Sequence, residues 1–468
     1  MANLCESLLR LQPDLTIGPG LAASFSHPTP TTWVYDLRKG VRFWDGHPMT
    51  PQDVIFSLDR QRSSSSFWYT FSSTISNVQQ TGPMQVTVTT KQPNVVTNDA
   101  MALGLGVVIE KQYAESKGSA YGTAKGGVMC TGPFRLSQWN PGENIIETKN
   151  PTYWDKSHPA MTDKLTLQFI NSDSTLTNGL LSGELDGAYD VPQSAVSSLD
   201  SSSTGKMYLG HSLRYYPLWQ ASENGPVKDP KIRQALSLAV DRQGIAHADF
   251  NDLATPLRWI APPDSFGYAR STWQQAYDAM PDVSSPNLSK AQQLVKEAGS
   301  PTAPISIAAQ AGDEISTELA TATASAGKQA GLNTTIKELP PTQYDNLYFD
   351  PKARAGISYF VGSYSYIDVA EPLETALNGA ASDAPYNLAG VSNPSLDRML
   401  TKAVGISDDT KRAQLGTKVI RVWSNELTQI PLVTAPEFMF LNSKITGAPA
   451  SFTTFLYSPW AQSLGASG

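Results

Sequence analysis

Histidine and cysteine are scarce in this chain, five of the first and two of the second in 468 residues. His27, His47, His158, His211 and His247 are scattered, and no pair has the spacing of metal ligands on one helix or loop. No metal or other cofactor is expected. Long apolar runs are missing too. Apolar residues make up 40% of the chain, yet no run approaches the roughly 20 residues that span a bilayer. Basic runs are also absent: 35 Lys and Arg stand against 42 Asp and Glu, a formal charge of −7. Nucleic-acid binders carry a clustered basic footprint, so nucleic acid is not an expected partner.

Catalytic signatures fail one after another. Ser325 and Lys328 satisfy S-x-x-K, but the K-T-G and S-D-N elements that accompany it in acyl-enzyme sites occur nowhere. A G-x-S-x-G elbow is lacking as well. Gly327-Lys328 is followed by Gln329, with Ala322 where a P-loop needs glycine, and Gly104-Leu105-Gly106 lacks the third glycine of a dinucleotide fingerprint. These gaps point to a binding protein rather than an enzyme.

The length exceeds what one hydrophobic core usually supports, so two or three domains are expected. The most informative segment is WVYDLRKGVRFWDGHPMTPQDVIFSLDR, Trp33 to Arg60. Trp33, Tyr35 and Leu37 alternate with other residues at strand period, Lys39 and Gly40 mark a turn, and Val41 and Phe43 read as a returning strand. A helix follows. Thr50 is placed to cap it, Pro51 suits its first position, and Asp53 puts a carboxylate three residues after the cap. Later, Tyr215 to Ser222 reads as a strand, and Asp229 with Pro230 opens a helix. Ser289 with Gln292 forms a capping box for a helix that ends at Gly299, and Asn393 with Pro394 opens another. Asp408 to Leu427 has the length and apolar spacing of a long amphipathic helix.

The Trp33 to Arg60 segment resembles the signature of the family 5 bacterial solute-binding proteins, which feed peptides or nickel to ABC importers. Three further segments agree in order and spacing: TGPFRL (131–136) with NPTYWD (150–155), LLSGELDGAYDVP (180–192) and DPKIRQALSLAVDR (229–242). The resemblance implies an α/β fold of the type II periplasmic-binding-protein kind, with two lobes, the first subdivided and discontinuous. On that reading 1–30, 137–221 and 437–468 form the first lobe's core, 31–136 its subdomain with the signature hairpin, and 222–436 the second lobe. A ligand would lie in the cleft between lobes, whose closure presents a surface to a membrane permease.

The resemblance also implies a site in ISYFVGSYSYIDVAEP, Ile357 to Pro372. In peptide-binding members an aspartate here holds the ligand's α-amino group, and Asp368 occupies the matching position. Taken alone, Asp368 reads as a strand-end acid capping a turn before Pro372. Tyr364 and Tyr366 share a strand face with it at period 2, and Tyr386 and Asn387 follow in a loop. The longer-peptide binders carry an arginine six residues before the aspartate and a tryptophan three before. Here those places hold Gly362 and Ser365, so the ligand's carboxylate has no assigned partner. The expected ligand is a short peptide; an oligosaccharide, haem or metal complex is the alternative, and the poor histidine pattern argues against the nickel branch.

The resemblance implies an extracytoplasmic protein, periplasmic or lipid-anchored, acting as a monomer with its permease. The first residues lack a basic region followed by an apolar stretch, so an export signal is not expected within this chain. Cys5 and Cys130 permit one intramolecular pairing; the alternatives are a disulfide, favoured by an exported setting, and two buried thiols.

Overall fold

Alternating burial builds the first sheet. On Thr32–Leu37 the side chains of Trp33, Tyr35 and Leu37 are buried. This strand pairs antiparallel with Ala22–Thr29 on one edge and Gln85–Thr90 on the other, and Ile75–Gly82 completes four strands. Lys39 and Gly40 do turn the chain, with Gly40 at φ 81°. Val41 and Phe43, however, do not return along Thr32–Leu37, because both of its edges are already taken. Residues 41–49 close a small loop of their own, Phe43 N donating to His47 O at 2.9 Å and Met49 N to Val41 O at 3.0 Å.

The helix Pro51–Gln61 begins as its cap residues require. One Asp53 carboxylate oxygen accepts from Thr50 N at 2.9 Å and Thr50 Oγ1 at 2.6 Å, and the other accepts from Lys111 N at 3.0 Å. A single buried acid thus caps one helix and ties it to the start of Lys111–Lys117. Nearby, His47 Nδ1 lies 2.7 Å from Glu110 Oε1 and 3.0 Å from Asp45 Oδ2, pinning the 41–49 loop to the residue that precedes the same helix.

The computed structural model describes residues 2–222, 224–362, 372–382, 384, 386–451 and 459–467. It divides into two units: Met1–Ser212 with Glu437–Gly468, and Leu213–Pro436. In the first, two three-stranded sheets accompany the four-stranded one. Phe134–Asn140, Asn144–Lys149 and Lys164–Gln168 form an antiparallel meander, and Glu437–Asn442 runs between Gly187–Tyr189 and Gly205–Gly210.

Cys5 and Cys130 form a disulfide with a Cα–Cα distance of 4.9 Å. Both are fully buried in a cluster that includes Leu4, Trp44, Val107 and Phe134. Around them Gly132 N donates to Leu4 O at 2.9 Å and Trp44 N to Cys130 O at 3.1 Å. A Cβ on Gly132 would sit 2.4 Å from Leu4 O, so only glycine allows this approach.

The second unit is built on six strands in the order Thr255–Pro256, Gln429–Thr434, Tyr215–Gln220, Tyr359–Val361, Ile305–Gln310, Thr334–Leu339. The last three run parallel, and helix Glu314–Gln329 supplies the crossover between the final pair. Tyr215–Gln220 was expected to end the first lobe; its pairing with Gln429–Thr434 and Tyr359–Val361 puts it in the second unit's sheet. Pro217 lies opposite Pro431 beside the register shift in that ladder, an irregularity of the kind where proline is tolerated. One helix start also differs from expectation. Asn287, not Ser289, caps Leu288–Glu297 by accepting from Lys290 N at 3.1 Å, which leaves Ser289 inside the first turn. Asp229 and Asn393 cap their helices as the sequence suggests, and the long helix runs Asp409–Glu426 with Asp408 as its cap.

Two predictions follow from these ties. The disulfide closes a loop between residues 125 apart, which in the chain-entropy model stabilises by about 4–5 kcal/mol. A Cys5→Ala/Cys130→Ala variant should therefore unfold at markedly lower denaturant concentration, and an unchanged midpoint would show that the link constrains nothing. The second concerns pH. The hydrogen bond to Glu110, and then the charges of Asp45 and Glu110, raise the His47 pKa above its ordinary 6.5. Its contribution is complete below that value and fades as pH rises through the folded-state pKa. The melting-temperature gap between the native chain and His47→Gln should be wider near about pH 6 than near about pH 8.

Candidate functional site

The strand Tyr359–Val361 lies at the start of the segment singled out in the sequence, and all three of its residues are buried. It pairs with Leu218, Trp219 and Gln220 on one side and with Ile307 and Ala308 on the other. At its end Gly362 N donates to Pro217 O at 2.7 Å. Beneath it Trp219, 1% exposed, is ringed by aromatic side chains. Its ring centroid lies 5.5 Å from Tyr348, 5.6 Å from Tyr386 and 5.9 Å from Phe360. Tyr344 and Tyr348 extend the group through edge contacts to Phe360 at 5.9 and 5.0 Å. The Tyr344 hydroxyl donates to Val361 O. Burial drives the Tyr344 and Tyr359 phenols well above their ordinary pKa, so both are neutral and serve only as polar-tipped packing.

Gly362 therefore has a steric reason. A Cβ there would lie 2.5 Å from the Trp219 indole nitrogen, so no side chain fits while Trp219 stays in place. Tyr386 packs on the same indole. Asn387 is spent on its own turn: its Nδ2 donates to Ala381 O and Val391 O, at 3.1 and 2.7 Å, and its Oδ1 accepts from Val391 N at 3.1 Å. The space enclosed by Trp219, Tyr386, Asn387 and Gln429 measures about 10 Å³, room for a single water. Gly362 and Tyr386 are thus brought together as a packed platform, with Asn387 bracing the loop beside it.

Tyr364, Tyr366 and Asp368 lie outside the described residues. The chain is described again from helix Pro372–Gly379, whose first turn carries Glu374, fully buried. Trp219, Tyr344, Tyr348 and Glu374 were not singled out in the sequence. YYPLWQ does show Tyr215, Pro217 and Trp219 on one strand face, but nothing local says which distant rings they meet.

Elsewhere, Ser325 and Lys328 both sit on the exposed face of helix Glu314–Gln329. Donor atoms of Asp45, His47 and Glu110 lie within 4.8 Å of one another, close enough to hold a metal ion. Sequence spacing hid this group, because Glu110 comes from a distant segment. The two carboxylates already share His47 Nδ1 at hydrogen-bond distance, which describes an ion pair held by the histidine proton.

Comparison with known proteins gives this geometry a setting. The chain is 27% identical over 299 residues to the glutathione-binding protein GsiB of Salmonella typhimurium, a match spanning 63% of this chain and 56% of that protein. The chain thus matches little more than half the length of such curated relatives. AgaA from A. tumefaciens R10, solved with agropinic acid, superposes with a TM-score of 0.84 at 21% identity, covering 100% of this chain and 93% of that one. DppA from Helicobacter pylori, solved with the peptide STSA, gives 0.84 at 20% identity with the same coverage. The fold is that of the type II periplasmic binding proteins. A sequence model of the bacterial extracellular solute-binding proteins, family 5 Middle, matches residues 16–383. This chain belongs to the bacterial extracellular solute-binding proteins of family 5.

Proposed function

We propose that this chain is the substrate-binding component of an ABC importer, capturing short peptides outside the cytoplasm and delivering them to a membrane permease. The observation that carries the reading is the family match over residues 16–383, together with the packed frame on either side of residues 363–371. A strand end seated on the Trp219 aromatic group leads in, and a helix with a buried first turn leads out. The ligand-binding residues are proposed to lie in the segment between these two supports. Asp368 is the proposed anchor for the peptide's α-ammonium, and Tyr364 and Tyr366 are proposed ligand contacts. The names of two similar proteins support the peptide class, since GsiB is called glutathione-binding and DppA was solved with a peptide.

Gly362 narrows the proposal. It stands where longer-peptide binders carry an arginine, and the Trp219 contact leaves no room for one. The ligand's carboxylate must then be met by another group, or the ligand is short. AgaA, solved with agropinic acid, keeps a non-peptide organic acid as the second reading.

Mass spectrometry of small molecules released on denaturing the purified protein tests the class directly. A set of short peptides is expected; a single non-peptide compound would sink the peptide reading. Using a peptide so identified, Asp368→Ala should weaken binding by about 2 kcal/mol or more, roughly thirtyfold in Kd. An unchanged Kd would remove Asp368 as the ammonium anchor.

A further inference from the structure

A cavity of about 360 Å³ in the first unit is lined from helix Pro51–Gln61, from the strands Phe134–Asn140 and Asn144–Lys149, and from residues near the disulfide. Its floor is apolar: Leu4, Val107, Ile109 and Val128 belong to the buried cluster around Cys5 and Cys130. Its side wall is apolar too, but there Leu136, Trp139 and Ile145 remain partly exposed.

That wall depends on a bulge. Leu136 and Trp139 are three residues apart and would face opposite sides of a regular strand. Against Asn144–Lys149 the register shifts between Leu136, which pairs with Glu147, and Gln138, which pairs with Ile146, so Ser137 is the extra residue. The alternation is reset, and Leu136 and Trp139 both line the cavity, Trp139 beside its cross-strand partner Ile145. Bulges recur next to active sites because they re-aim side chains in this way.

Among the described residues the lining carries a single charge, Arg60, and no acid. Arg60 is exposed and makes no ion pair or side-chain hydrogen bond with any described residue. Its Cζ lies 5.0 Å from the centroid of the Tyr121 ring, which also lines the cavity, so the guanidinium stands against the cavity wall while open to solvent. Burial raises the Tyr121 pKa, and the ring meets Arg60 as a neutral face rather than as a phenolate. The helix's other polar side chains at the cavity are already used. Ser57 Oγ donates to Asp53 O at 2.7 Å and accepts from Ile109 N at 3.0 Å, and Gln61 Oε1 accepts from Ser66 Oγ at 2.6 Å.

We propose that this cavity is a ligand site for a small amphipathic organic anion. A carboxylate accepts from the Arg60 guanidinium at the rim, and an apolar body covers Leu136, Trp139 and Ile145. Both ends of such a ligand meet side chains that solvent already reaches. The make-up is that of a small-molecule site, mostly apolar with a polar group that fixes orientation, and the planar fork of an arginine suits the two oxygens of a carboxylate. The segment around Asp368 belongs to the other unit and takes no part.

Titration calorimetry on the whole chain with sodium cinnamate, and with neutral cinnamamide, tests this. Cinnamate should bind saturably at one site, and cinnamamide about tenfold more weakly. Arg60→Gln, at an exposed position, should weaken cinnamate about tenfold with the melting temperature unchanged, the scale of a hydrogen bond to a charged group. Trp139→Ala should weaken it severalfold. Ile145→Trp, which fills the space from a partly exposed position, should abolish binding, and Asp368→Ala should leave it unchanged. No cinnamate binding, equal binding of cinnamamide, or cinnamate affinity indifferent to Arg60→Gln would overturn the proposal. Loss of cinnamate binding in Asp368→Ala would assign the probe to the other segment and overturn it equally.

Discussion

Glu437–Asn442 is the middle strand of a sheet whose other two strands, Gly187–Tyr189 and Gly205–Gly210, come from the first half of the chain. All six of its residues are buried. A strand in that position must have both backbone edges paired, because water cannot reach them. The first unit therefore remains incomplete until the chain has traversed the whole of Leu213–Pro436 and come back. The ends are laced in the same way: Ala461 N donates to Asn3 Oδ1 at 2.9 Å and Ser451 Oγ to Pro13 O at 2.8 Å. Such pairings close long loops before they return any energy, which slows folding. The Cys5–Cys130 link acts on the same problem, since it holds one end of the chain against the core from within the first unit.

The Trp33 to Arg60 segment was legible because its information is local. Thr50, Pro51 and Asp53 specify a helix start through contacts within one turn, and the structure keeps every one of them. The same holds for Asp229 and Asn393. Where the reading failed, a non-local pairing had won. Val41 and Phe43 have strand character, but Ala22–Thr29 and Gln85–Thr90 already occupy both edges they would need. Asp53's bond to Lys111 N and the meeting of His47 with Glu110 were invisible for the same reason.

The candidate site divides along that line too. Its acid and tyrosines could be named from a resemblance in one segment, whereas the packed platform at that segment's start is assembled from Trp219, Tyr344, Phe360 and Tyr386, drawn from four separate stretches. Gly362 shows why the platform matters. In sequence it looks like the loss of a charged residue; in the structure it is the place where a backbone runs against an indole. A family can keep its frame and change its ligand by such exchanges, because the frame's energy lies in burial while recognition rests on a few polar groups.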